Sequence, residues 1–96
     1  MTELVVSSAA EGDYAEALKW YAERSVQAAE RFDAELDRAF QSIASDPERF
    51  PRCDDRHQYY LMRHFPYQVI FRHYDNRVVV IAVAHTARQP RYWGDR

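Results

Sequence analysis

The chain has one cysteine, two glycines and four prolines in 96 residues. A lone Cys53 rules out an internal disulfide and a zinc site of the paired-cysteine kind. So few glycines and prolines argue against a linker-rich or low-complexity chain. No run of apolar residues approaches the length that crosses a bilayer. The N-terminal Met1-Thr2-Glu3-Leu4-Val5-Val6-Ser7-Ser8 has neither a basic start nor the apolar stretch of a secretion signal, so a cytoplasmic protein is expected. No metal-ligand spacing links His57, His64 and His73, which read as structural or surface residues, and neither metal nor cofactor is expected.

What remains is ordinary globular material: 47% hydrophobic, 29% charged and 15% aromatic residues. One domain over residues 1–96 is expected, burying roughly 60–65% of the unfolded surface. The net charge of −2 hides an asymmetry. Residues 1–48 carry eleven acids against four bases, and residues 49–96 carry four acids against nine bases, so the halves stand at −7 and +5. Either one face meets an anionic partner, or acidic helices simply offset an arginine-rich sheet.

Leu4-Val5-Val6 reads as a short edge strand. Ser8-Ala9-Ala10-Glu11 fits a capping box, and Tyr14, Ala17, Leu18, Tyr21 and Ala22 then recur at helical spacing. Ser25 is placed to cap a second helix with the stripe Ala29, Phe32, Leu36, Ala39, Phe40 and Ile43. Glu30, Arg31, Asp33, Glu35, Asp37 and Arg38 read as its solvated face. Asp46-Pro47 ends it, because the residue before proline is driven out of the α region. The period then changes. His57 to Phe65 is β-prone, Phe65-Pro66-Tyr67 turns, and Tyr67 to Tyr74 makes a strand. Asp75-Asn76 fits a two-residue turn that tolerates positive φ, and Arg77 to His85 completes a three-stranded meander. Val69 and Phe71 are expected to face the helices. Both alternating sets of the last strand are apolar, which predicts a central strand covered on both faces. The fold class is therefore α+β: a short N-terminal strand and a two-helix hairpin packed on an antiparallel meander.

The chain's end is its densest chemistry. The run Val80-Ile81-Ala82-Val83-Ala84 delivers His85, Arg88, Arg91, Tyr92 and Trp93 to one edge of the sheet. Imidazole, guanidinium and flat rings grip phosphates, bases or acidic protein surfaces. His85 can equally be a strand-end histidine that only orders the tail. Trp93 and Tyr92 are either core-closing residues or partner anchors.

Three segments in order carry a resemblance across nearly the whole chain. They are Ser45-Asp46-Pro47-Glu48-Arg49-Phe50-Pro51, then Arg63-His64-Phe65-Pro66-Tyr67-Gln68-Val69-Ile70-Phe71, then Val83-Ala84-His85-Thr86-Ala87-Arg88-Gln89-Pro90-Arg91-Tyr92-Trp93. Together they resemble the RelE/ParE superfamily of bacterial type II toxins. The resemblance implies a growth-inhibiting toxin held by a cognate antitoxin in a hetero-oligomer, as in plasmid-stabilization systems, with Tyr14, Leu18, Tyr21 and Phe32 on the antitoxin-facing side. The target is implied to be DNA gyrase or the ribosome with its mRNA. In the nuclease branch, cations come from the first meander strand, from just after the turn aromatic and from just beyond the last strand. Those places hold Tyr59 and Leu61, then Gln68, then Thr86; only Tyr92 falls near that branch's catalytic tyrosine. A missing guanidinium removes several kcal/mol of stabilisation from an anionic transition state, so the gyrase-binding ParE-like branch is expected. Its target-binding set would be His85, Arg88, Arg91, Tyr92, Trp93, Arg63 and Arg72. The alternative is a ribosome-dependent endoribonuclease with a rearranged centre of His85, Arg88, Tyr92 and Arg63.

Overall fold

Local capping explains where the two helices start. In the computed structural model, which describes residues 2–96, α1 runs Ser8–Arg24 and α2 runs Val26–Ser45. The cap of α1 is Ser7, one residue earlier than the sequence suggests: its hydroxyl accepts from the Ala10 N–H at 3.1 Å. Ser8 already lies inside the helix, so Glu11 has no serine cap three residues before it to reach back to. Ser25 does cap α2, accepting from the Ala28 N–H at 3.1 Å. Its backbone is extended (φ −163°, ψ 115°), which turns the chain between the two helices without a loop. Pro47 then opens a single 3-10 turn over Pro47–Arg49.

The strands are β1 (Glu3–Val6), β2 (Gln58–Leu61), β3 (Tyr67–Tyr74) and β4 (Arg77–His85). Their order is β1-β4-β3-β2. The meander is antiparallel, but β1 joins β4 in parallel, with Leu4 beside Val78 and Val6 beside Val80. The sheet is thus mixed: the helical hairpin carries the chain across to β2 at the far edge, and the meander then brings β4 back beside β1. β2 is shorter than its β-prone sequence: past Leu61 the chain bends into the turn to β3. Asp75-Asn76 does close a two-residue hairpin, with Tyr74 opposite Arg77. Neither residue takes positive φ, however; among the described residues only Arg91 does, at 62°.

One irregularity decides which side chains of β4 go where. Phe71 pairs with Val80 and Ile70 with Ala82, so Ile81 has no partner and forms a bulge. Below it Val78 and Val80 face the helices; above it Val83 does, while Ile81, Ala82 and Ala84 turn to the opposite face. The helix side is the larger core, built from Phe32, Leu36, Ala39 and Ile43 of α2 against Val69, Phe71, Val78, Val80 and Val83. A second, smaller core lies on the outer face, where Ile70, Ile81, Ala82 and Ala84 are covered by Trp93 from the tail. β4 is therefore central and buried on both sides, as its composition requires.

Two helix acids point inward rather than to solvent. Glu35, on the expected solvated face of α2, is only 6% exposed. It accepts from the backbone N–H of Arg63 at 2.7 Å and of His64 at 3.2 Å, and meets His64 Nδ1 at 2.8 Å. Burial pushes this carboxyl up, but the hydrogen bonds from the His64 side chain and the two N–H groups outweigh it and hold it below the usual range. Asp13 of α1 does the corresponding task for β4 and the tail, as described next.

Candidate functional site

The site forms where β4 ends beside α1. After His85 the chain continues as a tail, residues 86–96, made of turns alone. Such a segment needs anchors, and buried carboxylates supply them. Asp13 accepts from the Val83 N–H at 3.0 Å, the Tyr92 hydroxyl at 3.3 Å and Arg96 Nη1 at 2.8 Å, tying α1, β4 and the tail together. Arg96 also donates to the Ile81 carbonyl at 3.1 Å, which engages the bulge residue.

Asp54, in the loop before β2, holds the middle of the tail through Arg91 Nη2 at 2.7 Å. The same carboxylate accepts from the N–H groups of Arg56 and His57 and meets His57 Nδ1 at 2.8 Å. Burial raises this carboxyl, yet the Arg56 N–H, the His57 ring and the His57 N–H bring it down to about 2. His57 is fully buried, and its Nε2 has no conventional partner among the described residues. Its ring stands at 70° to that of Trp93, 5.1 Å between centroids. The two rings pack edge to face, which fills the space beside the buried imidazole. His57 is thus structural, as the sequence reading has it.

These anchors fix the exposed groups. The Arg88 guanidinium lies 3.6 Å over the Tyr92 ring, and Arg96 approaches the same ring at 5.1 Å. His85 stands edge-on to Tyr67 at 5.0 Å. Two cavities share His85, Arg88 and Tyr92. The first, ≈ 410 Å³, opens toward α1 between Glu16, Trp20, Tyr21, Tyr67 and Arg88. The second, ≈ 310 Å³, opens on the outer sheet face, among Tyr59, Gln68, His85, Arg88 and Arg91.

The expected target-binding residues therefore divide. His85, Arg88, Arg91 and Tyr92 gather at this corner. Trp93 does not present itself: at 4% exposure it closes the outer core. Arg63 belongs to another groove, with Ser42, Arg49, Phe50 and Leu61 along the β2 edge. Arg72 pairs with Val79 five residues along β3 from Tyr67, roughly 17 Å from the His85 row at strand rise. Its guanidinium sits 5.5 Å from the Tyr74 ring. Neither arginine enters the cavity beside Gln68. On the helix side, Tyr14, Leu18 and Tyr21 are half-buried, but Phe32 is fully buried against Tyr21, Phe65 and Tyr67 and offers no surface to a partner. Sequence reading missed Asp13 and Asp54 as organisers of the site. The contacts that tie them to the tail lie far along the chain, Asp13 to Tyr92 and Arg96 and Asp54 to Arg91.

The corner is poorly arranged for proton transfer. The Ala87 N–H donates to His85 Nδ1 at 3.0 Å, so that nitrogen is an acceptor already in use and the ring proton sits on Nε2. Burial, then the Asp13 charge, push the Tyr92 phenol up, away from the phenolate a base would require. The same groups are well arranged to be touched: two guanidiniums, an imidazole N–H and aromatic edges on one ridge.

Comparison with known proteins agrees with this architecture. The family model described as the ParE toxin of the type II toxin–antitoxin system parDE matches residues 4–90. The fold is similar to a solved chain of a chromosomal ParDE toxin–antitoxin system from P. aeruginosa, with a TM-score of 0.77 at 11% identity, covering 88% of this chain and 96% of that one. No curated protein matches the sequence at a significant level. No helix among the described residues is long and apolar enough to cross a membrane.

Proposed function

From the premise that this chain belongs to the ParE toxin family of type II toxin–antitoxin systems, we propose that it inhibits growth by binding DNA gyrase through the ridge of His85, Arg88, Arg91 and Tyr92. Its cognate antitoxin neutralises it within a hetero-oligomer, acting in the cytoplasm. One observation carries the choice of contact over bond cleavage. By the family resemblance Gln68 stands where a nuclease would place a guanidinium, and His85, the one imidazole lining that cavity among the described residues, has its acceptor nitrogen satisfied by the Ala87 N–H. Cleaving a phosphodiester needs a free base and cations on the developing charge; His85 as placed is not a free base, and the two cations of that cavity, Arg88 and Arg91, are engaged with the Tyr92 ring and with Asp54.

A second reading, a ribosome-dependent endoribonuclease, draws support from the same cavity. Arg88, Arg91, His85 and Tyr92 all line it, and a rotation of His85 would free its nitrogen. The two readings separate in parallel assays on the purified chain. Inhibited supercoiling with intact ribosome-bound mRNA is expected, and Arg88→Ala should weaken that inhibition at least tenfold. Cleavage of mRNA between codons that His85→Ala abolishes would overturn the gyrase reading.

A further inference from the structure

The tail bends at Arg91 in a way that a side chain normally resists. Its φ of 62° is the one positive value among the described residues, and it belongs to an arginine rather than a glycine. An L side chain in that region crowds its own backbone, so the conformation persists only where neighbours hold it. Here the neighbours lie in the loop before β2. Asp54, only 19% exposed in its side chain, takes Arg91 Nη2 at 2.7 Å. Arg56 donates to the Gly94 carbonyl at 3.3 Å. Between these two holds, the Gly94 N–H donates to the Arg91 carbonyl at 2.8 Å and closes a tight turn. A Cβ on Gly94 would stand 3.0 Å from that carbonyl oxygen, so the turn leaves little room for a side chain there.

That turn sends two consecutive rings to different anchors. The Tyr92 hydroxyl reaches Asp13 on α1, and its ring lies under the Arg88 guanidinium. Trp93 instead enters the outer core beside His57. We propose that Arg91 is a positioning residue: pinned by Asp54 in the left-handed region, it sets Tyr92 as the platform for Arg88 and does not itself touch the target. The inference rests on the gyrase-binding reading above and refines it, since Arg91 then belongs to the ridge by shaping it. A guanidinium kept for an anionic partner would need no such bend. Engaging a phosphate or carboxylate of the target would take Arg91 from Asp54, and would release the restraint on a backbone that sterics disfavour. Arg88 is placed differently. It stacks on Tyr92 but has no carboxylate within 4.0 Å among the described residues, which leaves the N–H edge of its guanidinium for a partner.

Glycine separates positioning from contact, because it removes the guanidinium yet adopts positive φ without steric cost. Purified full chains are compared in inhibition of gyrase supercoiling and in amide exchange of residues 88–94. Arg91→Ala keeps the disfavoured backbone and loses its restraint, so inhibition should weaken about tenfold and exchange should speed up by a similar factor. Arg91→Gly should recover most of that loss, to within about threefold of wild type, with slower exchange than Arg91→Ala. Asp54→Asn keeps an acceptor oxygen for the Arg56 and His57 N–H groups. It should match Arg91→Ala when made alone and add little on top of Arg91→Gly. Equal losses of inhibition for Arg91→Gly and Arg91→Ala would overturn the proposal. So would an Asp54→Asn chain that inhibits as well as wild type or better, since the freed arginine would then be reading the target directly. A wild-type chain that leaves supercoiling untouched would strike the gyrase reading instead. Amide exchange in the three variants then decides the positioning claim by itself, and equal exchange in Arg91→Gly and Arg91→Ala would sink it.

Discussion

Replacing Asp13 tests whether one buried carboxylate holds the functional tail. Asp13→Ala leaves the Val83 N–H without an acceptor inside the sheet, at about 1–3 kcal/mol. It also strips the acceptor from Tyr92 and the counter-charge from Arg96, which is 26% exposed in its side chain. Those two contacts add roughly 0.5–1 kcal/mol each, because solvent partly compensates them. The sum is about 2–5 kcal/mol, in line with removing one partner of a buried pair. Domains of this size hold on the order of 5–15 kcal/mol in all. At about 4–8 °C per kcal/mol, the midpoint of thermal unfolding should drop by at least about 8 °C. Asp13→Asn keeps an acceptor oxygen for Val83 and should cost less, about 1 kcal/mol. The assay is thermal and urea unfolding followed through Trp93, in a Trp20→Phe background that silences the half-exposed indole. Amide exchange at Val83 and in residues 86–96 should speed up in parallel. A midpoint within about 2 °C of wild type, with tail exchange unchanged, would refute the claim that Asp13 anchors this segment.

Acid should loosen the tail and the turn before β3. Asp54 and Glu35 both titrate lower folded than unfolded, so each contributes stability that is complete above about pH 4–5. That contribution is lost as pH falls, toward about 2 for Asp54; denaturant midpoints that stay flat from pH 5 to pH 2.5 would contradict it. Ser7→Ala should cost about 0.5–2 kcal/mol of stability while Ser8→Ala changes almost nothing, which unfolding curves resolve, and the reverse ranking would return the cap to Ser8. Burial first, and the neighbouring Asp54 charge second, push the Cys53 thiol up. Alkylation at pH 8 should therefore run several-fold slower than for a free thiol, and equal native and denatured rates would count against that environment.

Periodicity and punctuation alone determined a good deal of this protein. The helical stripe from Ala29 to Ile43, the stop at Asp46-Pro47, the Asp75-Asn76 hairpin and the two-faced apolar run of β4 are local patterns, and local patterns survive translation into structure. The family likeness was also legible, because it rests on three contiguous segments. What the chain could not announce were relations between residues far apart in sequence. The parallel seating of β1 on β4 depends on the hairpin crossing to the far edge of the sheet and the meander working back. The bulge at Ile81, which swaps the faces of everything above it, arises from packing on both sides of one strand rather than from its own residues. Glu35 looked like a member of a solvated helix face, and Phe32, part of the apolar stripe, was also expected to face the antitoxin; the turn at Arg63 claimed the first and the aromatic cluster the second, while the Val83 amide claimed Asp13. The corner at His85 followed the same division. Composition brought imidazole, guanidinium and rings to one strand end, but only the fold set Arg88 on Tyr92, buried Trp93, sent Arg63 and Arg72 elsewhere and left Gln68 on the wall. Side-chain type is written residue by residue, whereas burial and partner are shared properties of elements meeting in space.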